Sequence, residues 1–589
     1  MYIPFGIFLL IINCFFLILF KKWLGPVGIF YSSIFCFIIF LINNFFILWI
    51  NLISGSFLFI DFGRWFFTMD IITSNLVFCF DNLSIILGSI VIILTIVALF
   101  FGIEYMSRET FIARLVFLLN LFATSVLFLF YIYDFFLIII AWELIGLFSF
   151  LLVNFYSLTV YTLKSSLKTF VFSRLSDFFI FIAFNLCILV FNSTDLTLIF
   201  LKTPFFAYHT FSILGISINF LTFLTLCISL SGCIKAAQFG FHVWLPDAMN
   251  APTPASSLIH SSTLVIMGIY LIIRLNLIFE FTILTNYFLI IIGGLTISIG
   301  SLIAVFQTDI KKLVAYSTIS QMGYLVSGCG FCAYDETIIY LLMHAINKAF
   351  LFIIVGYTVH FFNNNTDLRQ MGSLYTYSYE LSIYFLILSM NLIGLPFSSG
   401  FYSKEFLLFQ VLDNSGFSIT IKSFWFISFL FTPIYMFILV YFINFNLKKN
   451  IYINYFNNNY KNYDKNNKYS VTSFFENVFI NSKSTVFLLF FFYFIFNFFG
   501  DYFSLILYNY MYQNESFFVK NYFKLNFKNY LSVNLLSGFN IYNIYAFIVL
   551  INLISINYIL SIFYKNSTNI INLLYYFDFL LIIVSVFLF

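Results

Sequence analysis

Long apolar runs, separated by short polar segments, alternate along almost the whole chain. A helix needs about 20 mostly apolar residues to cross the hydrocarbon core of a bilayer. The pattern therefore predicts about sixteen membrane-spanning helices. The predicted spans cover residues 3–20, 26–50, 76–102, 114–132, 134–154, 169–191, 213–245, 255–275, 283–305, 310–330, 336–361, 381–411, 420–446, 484–500, 542–563 and 570–589.

Two of these runs are too long for one straight helix. At 1.5 Å per residue, residues 213–245 would extend about 50 Å, against a hydrocarbon core of about 30 Å. That run contains Gly232 and Gly240, and residues 381–411 contain Gly394, Pro396 and Gly400. Both runs predict broken helices, which in transporters mark the ion path.

The two predicted breaks also indicate an internal duplication. One set of spans covers residues 114–275 and the next covers 283–446. Residues 1–113 add N-terminal helices, and residues 447–589 add a basic loop and C-terminal helices. Because inverted repeats are a common transporter plan, we expect an all-α polytopic membrane protein with two inverted five-helix halves.

Composition agrees with this interpretation. The 589 residues are 62% hydrophobic and 8% charged, with a mean hydropathy of +1.02, a balance that excludes a soluble domain. The 91 phenylalanines and 40 tyrosines favour a gene with AT-rich codons, as in an organelle. No glycine-rich phosphate loop or dinucleotide motif is found, so we expect no bound nucleotide or flavin. Cys329 and Cys332 form one CxxC without further ligands nearby, so no metal is expected.

Basic loop residues predict the orientation, because cytoplasmic or matrix loops carry an excess of lysine and arginine. Alternate threading of sixteen spans leaves Arg64, Lys202 and Lys520 on one side. The opposite, matrix-like side receives Lys21, Lys22, Arg108, Lys164, Lys311, Lys312, Arg369, Lys448, Lys449, Lys461, Lys465 and Lys468. Both termini are then expected on the intermembrane-space or periplasmic side. The first apolar run has no basic segment before it, which favours a retained span over a cleaved signal.

Residues 232–270 contain two apolar helices, the first with a lysine and the second with a histidine. Between them lies a polar elbow, which contains Pro246, Asp247, Pro252 and Pro254. Inserting a lysine at the middle of a membrane helix costs about 2.5–3.5 kcal/mol of free energy. Such a residue is by default a candidate for function, so we expect a functional role for Lys235. His260 follows the elbow and titrates in the range that suits a proton relay. The alternatives are a Lys235 that reaches the lipid headgroups and a His260 that only packs in the core.

Glu143 is a lone carboxylate in an apolar run, and Lys235 is its natural partner. Burial disfavours a charged lysine and a nearby carboxylate favours it. A glutamate that moved would therefore switch Lys235 between holding and releasing a proton. The alternative for Glu143 is a purely structural salt bridge.

Three further groups of charged residues lie within spans. Arg174 and Asp177 share one helix face, which favours a structural pair, and the nearby Lys168 is a candidate for the proton path. His344 and Lys348 are four residues apart and so share a face. Lys404 and Glu405 follow the second predicted break; the alternative for them is an interfacial ion pair.

The stretch KAAQFGFHVWLPDAMNAPTPASSLIHSSTLV resembles the signature of the antiporter-like subunits of respiratory complex I and of Mrp-type cation/proton antiporters. WELIG, IHSST, HAINKAFLF and NLIGLPFSSGFYSKEF are similar to further motifs of that family, and the resemblance covers residues 75–445. It implies two inverted antiporter-like halves. The implied proton-translocating residues are Glu143, Lys235, His260, His344, Lys348, Lys404 and Glu405, with Lys168, Arg174 and Asp177 supporting them.

Two departures from the family pattern are visible. Ser176 stands where the family usually has glycine. The extension past residue 446 favours the family's longest members, which carry a lateral helix between their last two spans. Here only residues 564–569 separate the last two predicted spans.

The resemblance implies a proton-translocating subunit of NADH:ubiquinone reductase that carries out no redox chemistry itself. No cofactor is expected in this chain; flavin, iron–sulfur clusters and quinone are expected in partner subunits. The implied partners are the membrane-arm and peripheral-arm subunits of complex I and lipids, with no nucleic acid, in the mitochondrial inner membrane. Two alternatives stay open: a standalone Mrp-type cation/proton antiporter, and a scaffold whose polar residues only hold helices together.

Overall fold

The computed structural model describes residues 5–54, 57–68, 72–107, 109–213, 216–362, 364–395, 398–413 and 419–445. The chain divides into two compact units, Met1–Lys520 and Asn521–Phe589, and every described residue belongs to the first. The features predicted beyond residue 446 lie outside the described residues. These are the basic loop, the segment between the last two spans, and the spans 484–500, 542–563 and 570–589.

Helices make up most of the described chain. The first six are α1 (Phe5–Ser54), α2 (Asn82–Tyr105), α3 (Ile112–Tyr131), α4 (Phe135–Val153), α5 (Val160–Phe191) and α6 (Leu196–Lys202). The next six are α7 (Phe220–Lys235), α8 (Trp244–Asp247), α9 (Thr253–Leu258), α10 (Leu264–Arg274), α11 (Asn276–Glu280) and α12 (Ile283–Val305). The last six are α13 (Ile310–Gly330), α14 (Tyr334–Phe361), α15 (Leu374–Tyr377), α16 (Tyr379–Ile393), α17 (Ser399–Asp413) and α18 (Ile419–Val440).

Each of the thirteen spans predicted before residue 447 contains at least part of one of these helices. Within the described residues, nine helical segments are long and apolar enough to cross a membrane. The chain is therefore a multi-pass helical membrane protein, as the hydropathy pattern predicts. The inverted relation between residues 114–275 and 283–446 stays a prediction.

Two β-hairpins lie among the helices, which the sequence pattern did not predict. Strand β1 (Leu58–Thr68) pairs antiparallel with β2 (Ile72–Phe80), and β3 (Thr210–Ile213) pairs with β4 (Ile216–Asn219). The second hairpin shortens the predicted span 213–245, because α7 begins only at Phe220. Alternating serine and isoleucine residues in this stretch suit a strand, whose side chains point to opposite faces in turn.

Several helices end or break at residues that favour a break. Gly25, with φ +66°, interrupts α1 between the first two predicted spans. α7 ends at Lys235, and no further helix begins before Trp244 in this fully described stretch. α16 ends at Ile393, followed by Gly394 with φ +83°, a conformation that only glycine adopts readily.

Close helix packing fixes the position of α7. A Cβ atom added to Gly232 would lie 2.8 Å from the carbonyl oxygen of Gly268 on α10, and one added to Gly268 would lie 2.3 Å from that of Gly232. Small residues allow membrane helices to approach this closely, so that backbone packs on backbone. This contact holds the end of α7, where Lys235 lies.

A buried ion pair ties α2 to α10. Asp81 caps α2 by accepting a hydrogen bond from the backbone of Ser84, at 3.0 Å. Arg274, the last residue of α10, pairs with Asp81 and also donates to the hydroxyl of Tyr270, at 2.9 Å. Because both charges are largely buried, the pair holds these helix ends in register.

Candidate functional site

Lys235 is the last residue of α7, and its side chain is only 1% exposed. Its Nζ donates to the backbone carbonyl of Trp142 at 2.6 Å and lies 4.0 Å from the centroid of that indole ring. It also lies 3.8 Å from Oδ1 of Asp177. The end of a helix, an aromatic face and a carboxylate all stabilise a positive charge. They offset part of the cost of burying the ammonium group.

Charged side chains continue from Lys235 as a row across α4 and α5. Asp177 is 4% exposed and lies 3.3 Å from Nη1 of Arg174, which in turn lies 3.7 Å from Oε2 of Glu143. The carboxylate that forms an ion pair with Lys235 is therefore Asp177, whereas the sequence had suggested Glu143. Arg174 lies between the two acids and can bond to either.

Ser176 has a bonding role that the sequence did not suggest. Its hydroxyl accepts a hydrogen bond from Nε1 of Trp142 at 3.0 Å and donates to the carbonyl of Ser231 at 3.2 Å. Ser176 thus links α4, α5 and α7 at the position where the family resemblance led us to expect glycine. The indole that carries the cation–π contact with Lys235 is oriented by this link.

His260 lies in a π-helical turn, Ile259–Thr263, between α9 and α10, and is fully buried. Its ring centroid is 6.3 Å from that of Trp244 and 6.4 Å from that of Phe352 on α14. π-Helical turns are rare and often occur at functional sites. His260 is therefore positioned between the elbow that follows Lys235 and the helix that carries Lys348.

His344 and Lys348 lie one turn apart on α14, as their spacing predicts, and both are buried. Nζ of Lys348 bonds to the hydroxyl of Ser317 and lies 3.4 Å from the carbonyl oxygen of Val314, both on α13. Among the described residues, no carboxylate lies within 4.0 Å of Lys348. Lys348 is thus surrounded by neutral partners, unlike Lys235.

Lys404 lies on α17, after the break that follows α16. Its Nζ is 4.4 Å from the ring centroid of Phe429 and 5.4 Å from that of Tyr324. A small cavity of about 10 Å³ joins Lys404 to His344 and is also lined by Asn347, Asn391 and Ser403. Glu405 follows Lys404 directly on α17 and is partly buried, and these two described residues form no ion pair within 4.0 Å.

Lys168 lies apart from these groups. It forms an ion pair with Asp247, the last residue of α8, and both side chains are roughly two-fifths exposed, at 39% and 37%. The sequence pointed to Lys168 but not to its partner. The two residues are 79 positions apart, and only the folded elbow brings them together.

The described residues therefore form two groups with His260 between them; Lys235, Asp177, His344, Lys348 and Lys404 are buried, whereas the side chains of Arg174 and Glu143 are 38% and 36% exposed. One group contains Glu143, Arg174, Asp177 and Lys235, and the other contains His344, Lys348 and Lys404. Lysine, histidine and carboxylate side chains can each take up and release a proton, so this arrangement suits proton transfer. No three metal-binding side chains are grouped within the described part of the chain.

Comparison with known proteins gives a family match. A family profile described as the transmembrane region of NADH:quinone oxidoreductase and Mrp antiporters matches residues 133–432. A protein named NADH-ubiquinone oxidoreductase chain 5 from Nyctotherus ovalis is 41% identical over 424 residues, which cover 70% of this chain and 23% of that protein. Its namesake from Paramecium tetraurelia is 36% identical over 408 residues, covering 68% and 70% of the two chains.

A further chain 5, from Chondrus crispus, is 35% identical over 370 residues, or 62% of this chain and 56% of that protein. The match thus spans less than two thirds of both the Nyctotherus and the Chondrus relatives. Among solved structures, the Mrp complex from Dietzia sp. DQ12-45-1b contains a chain similar to this one, with a TM-score of 0.65 and 24% identity. That match covers 77% of this chain and 48% of the other, and it shows a shared fold.

Proposed function

The chain belongs to the transmembrane family of NADH:quinone oxidoreductases and Mrp antiporters, and from this premise we propose that it is a proton-translocating membrane subunit of respiratory complex I. The observation that carries the proposal is the burial of Lys235 against Asp177, with Arg174 and Glu143 beyond. Ionisable groups at such depth are costly and are kept where they serve transport. The names of the chain 5 relatives support the choice of complex I.

In the first half, Lys235 is the group that takes up and releases the proton, and Arg174 controls it. When Arg174 moves toward Glu143, Asp177 is left to stabilise the Lys235 ammonium. When Arg174 bonds to Asp177, the hold of that carboxylate on Lys235 weakens. Electrostatic energy varies inversely with distance and is large where water is scarce, so small movements of Arg174 suffice to change the charge on Lys235.

From the first half, the path continues through His260 into the second half, to His344, Lys348 and Lys404. The cavity between His344 and Lys404 supports this order, because its asparagine and serine side chains can bind water. Glu405, beside Lys404, accepts the proton at the exit. Uptake takes place from the matrix side and release from the intermembrane-space side.

We place this subunit in the mitochondrial inner membrane, with both termini on the intermembrane-space side. Residues 114–275 and 283–446 form the two antiporter-like halves. The energy comes from quinone reduction in other subunits of NADH:ubiquinone reductase, which also hold the flavin and iron–sulfur clusters. The partners are the membrane-arm and peripheral-arm subunits together with lipids, and this chain contributes proton movement but no redox step.

Purification from membranes in a mild detergent tests this assignment. The band that holds this chain is assayed for NADH dehydrogenase activity in the gel and for flavin and iron. Co-migration of all three with the chain is the expected result. A band without flavin or iron, together with sodium-dependent proton exchange in vesicles, would replace complex I by a standalone Mrp-type antiporter.

A further inference from the structure

A narrow cavity lies beside Lys235. It lies among α4, α5 and the elbow that follows α7, and offers about 20 Å³ to the centres of water-sized molecules. That is room for one or two waters. Its polar lining consists of Lys235 and the hydroxyls of Ser149, Thr169 and Ser173.

The three hydroxyls are arranged to receive water. Each donates its proton to a backbone carbonyl of its own helix at 2.8 Å. Because a hydroxyl has one donor and two acceptor positions, each oxygen can still accept a hydrogen bond. A water that donates to these oxygens could in turn reach Lys235, so the cavity can serve as a short passage for water.

The Lys168–Asp247 ion pair directly adjoins residues that line this passage. Lys168 directly precedes Thr169, and Asp247 directly precedes Ala248; both of these neighbours line the cavity. The pair joins α5 to α8, and its side chains are partly exposed, whereas the side chain of Lys235 is buried. Opening the pair would separate the two elements at this point.

We propose that Lys168 and Asp247 form the gate through which water, and with it the proton, reaches Lys235. This inference rests on the proposed function and adds the place of proton uptake. When the two side chains are paired, the passage is closed. When they separate, water enters from the side of the membrane on which they lie.

Thiol accessibility in the intact complex tests the gate. Thr169→Cys places a thiol just inside the pair, and its reaction with a small water-soluble methanethiosulfonate is followed by mass spectrometry. Adding Asp247→Asn or Lys168→Met should speed labelling about two- to fivefold, the factor expected from losing a partly exposed ion pair. The exchanged pair, Lys168→Asp with Asp247→Lys, should restore slow labelling.

Leu158→Cys is the matched control, because Leu158 is 98% exposed in the loop before α5 and should react equally fast in every background. Unchanged labelling of Thr169→Cys in the single variants, or fast labelling in the exchanged pair, would overturn the gate. Proton pumping by Lys235→Arg is measured in the same preparation. If that variant pumps normally while the gate variants behave as expected, the passage stands and the proton-carrying role that the proposed function gives to Lys235 fails.

Discussion

At the scale of single residues, the surroundings of the buried lysines differ in a way that the sequence did not indicate. Lys235 has a carboxylate, a carbonyl and an indole as partners, whereas Lys348 has a hydroxyl and a carbonyl. Hydropathy and motif could identify both lysines, since a charge in an apolar run stands out. Neither hydropathy nor motif could identify Asp177 as the partner of Lys235. The orientation of each helix about its own axis decides which side chains meet across α4, α5 and α7.

Asp177→Asn should lower NADH-driven proton pumping by about tenfold, because an opposite charge within about 4 Å strongly favours the ammonium form of a lysine. The measurement is proton translocation in vesicles that contain equal amounts of assembled complex. Asp309→Asn is the control, since Asp309 forms a half-exposed pair with Lys312 at 3.4 Å. Equal pumping by the two variants would exclude Asp177 from the switch.

The loop before α15 contains a pair with a defined pH dependence. Arg369 donates to both carboxylate oxygens of Asp367, and these bonds hold the pKa of Asp367 below its usual value. Since this pKa is lowered in the folded state, the stabilisation is present at neutral pH and is lost as the pH falls below about 4. Hydrogen exchange of residues 364–372, corrected for the intrinsic effect of pH, should show protection lost only in that acid range.

Arg369→Gln removes the main cause of the lowered pKa of Asp367, so protection should already be reduced at neutral pH and should fall less in acid than in the parent protein. Lys312→Gln serves as the comparison, because Lys312 pairs with Asp309 and not with Asp367. Equal protection at neutral pH and an equal loss of protection in acid for the Arg369→Gln variant and the parent protein would contradict the role given to this pair.

At the scale of elements, the sequence predicted most helices but not the hairpins. Long apolar runs are sufficient evidence for spans, because the bilayer sets their length. The hairpin of β3 and β4 escaped detection since its apolar residues adjoin those of α7 and extend one hydropathy run. The breaks after Lys235 and Ile393 fall within runs whose glycines and excess length had suggested interruption.

Gly268→Ala tests whether the stability of the complex and its proton pumping depend on the position of α7. The added methyl group would lie 2.3 Å from the carbonyl oxygen of Gly232, so the two backbones must separate. Overpacking of this kind typically costs about 1–3 kcal/mol. We expect a lower thermal stability of the complex and reduced pumping, since Lys235 moves with α7.

Gly28→Ala is the control for this substitution. Its added methyl group would meet only the flexible side chain of Leu24, with the nearest atom at 3.3 Å. If Gly268→Ala and Gly28→Ala had the same melting temperature and pumping rate, the close approach of α7 and α10 would not matter for function.

At the scale of the whole molecule, the direction of proton uptake depends on which side of the membrane each loop faces. α5 has 32 residues and is long enough, at about 48 Å, to separate the loops at its two ends across a bilayer. Leu158 lies before this helix and Tyr208 lies beyond it, and both are more than 90% exposed. The distribution of basic loops predicts that Leu158 faces the matrix.

An impermeant maleimide tests this orientation in mitochondria whose outer membrane has been opened. In a background that lacks Cys332, Tyr208→Cys should be labelled at once, and Leu158→Cys only after the inner membrane is permeabilised. Cys332 is removed because it is exposed and would react itself. The reverse order of labelling would invert the predicted topology and the direction of proton uptake.

The most direct test of the central claim is the proton-to-electron ratio of a complex that carries Lys235→Arg. Arginine keeps the positive charge and much of the packing but cannot release a proton near neutral pH. Lys202→Arg is the matched control, because Lys202 donates to the carbonyl of Phe191 at the end of α5 and lies outside the residues assigned to proton transfer. We predict an assembled complex with flavin and iron whose pumping falls severalfold, while the control pumps normally. An assembled Lys235→Arg complex with an unchanged proton-to-electron ratio and turnover would show that Lys235 only holds the helices together. The proton-carrying role proposed for Lys235 would then be wrong.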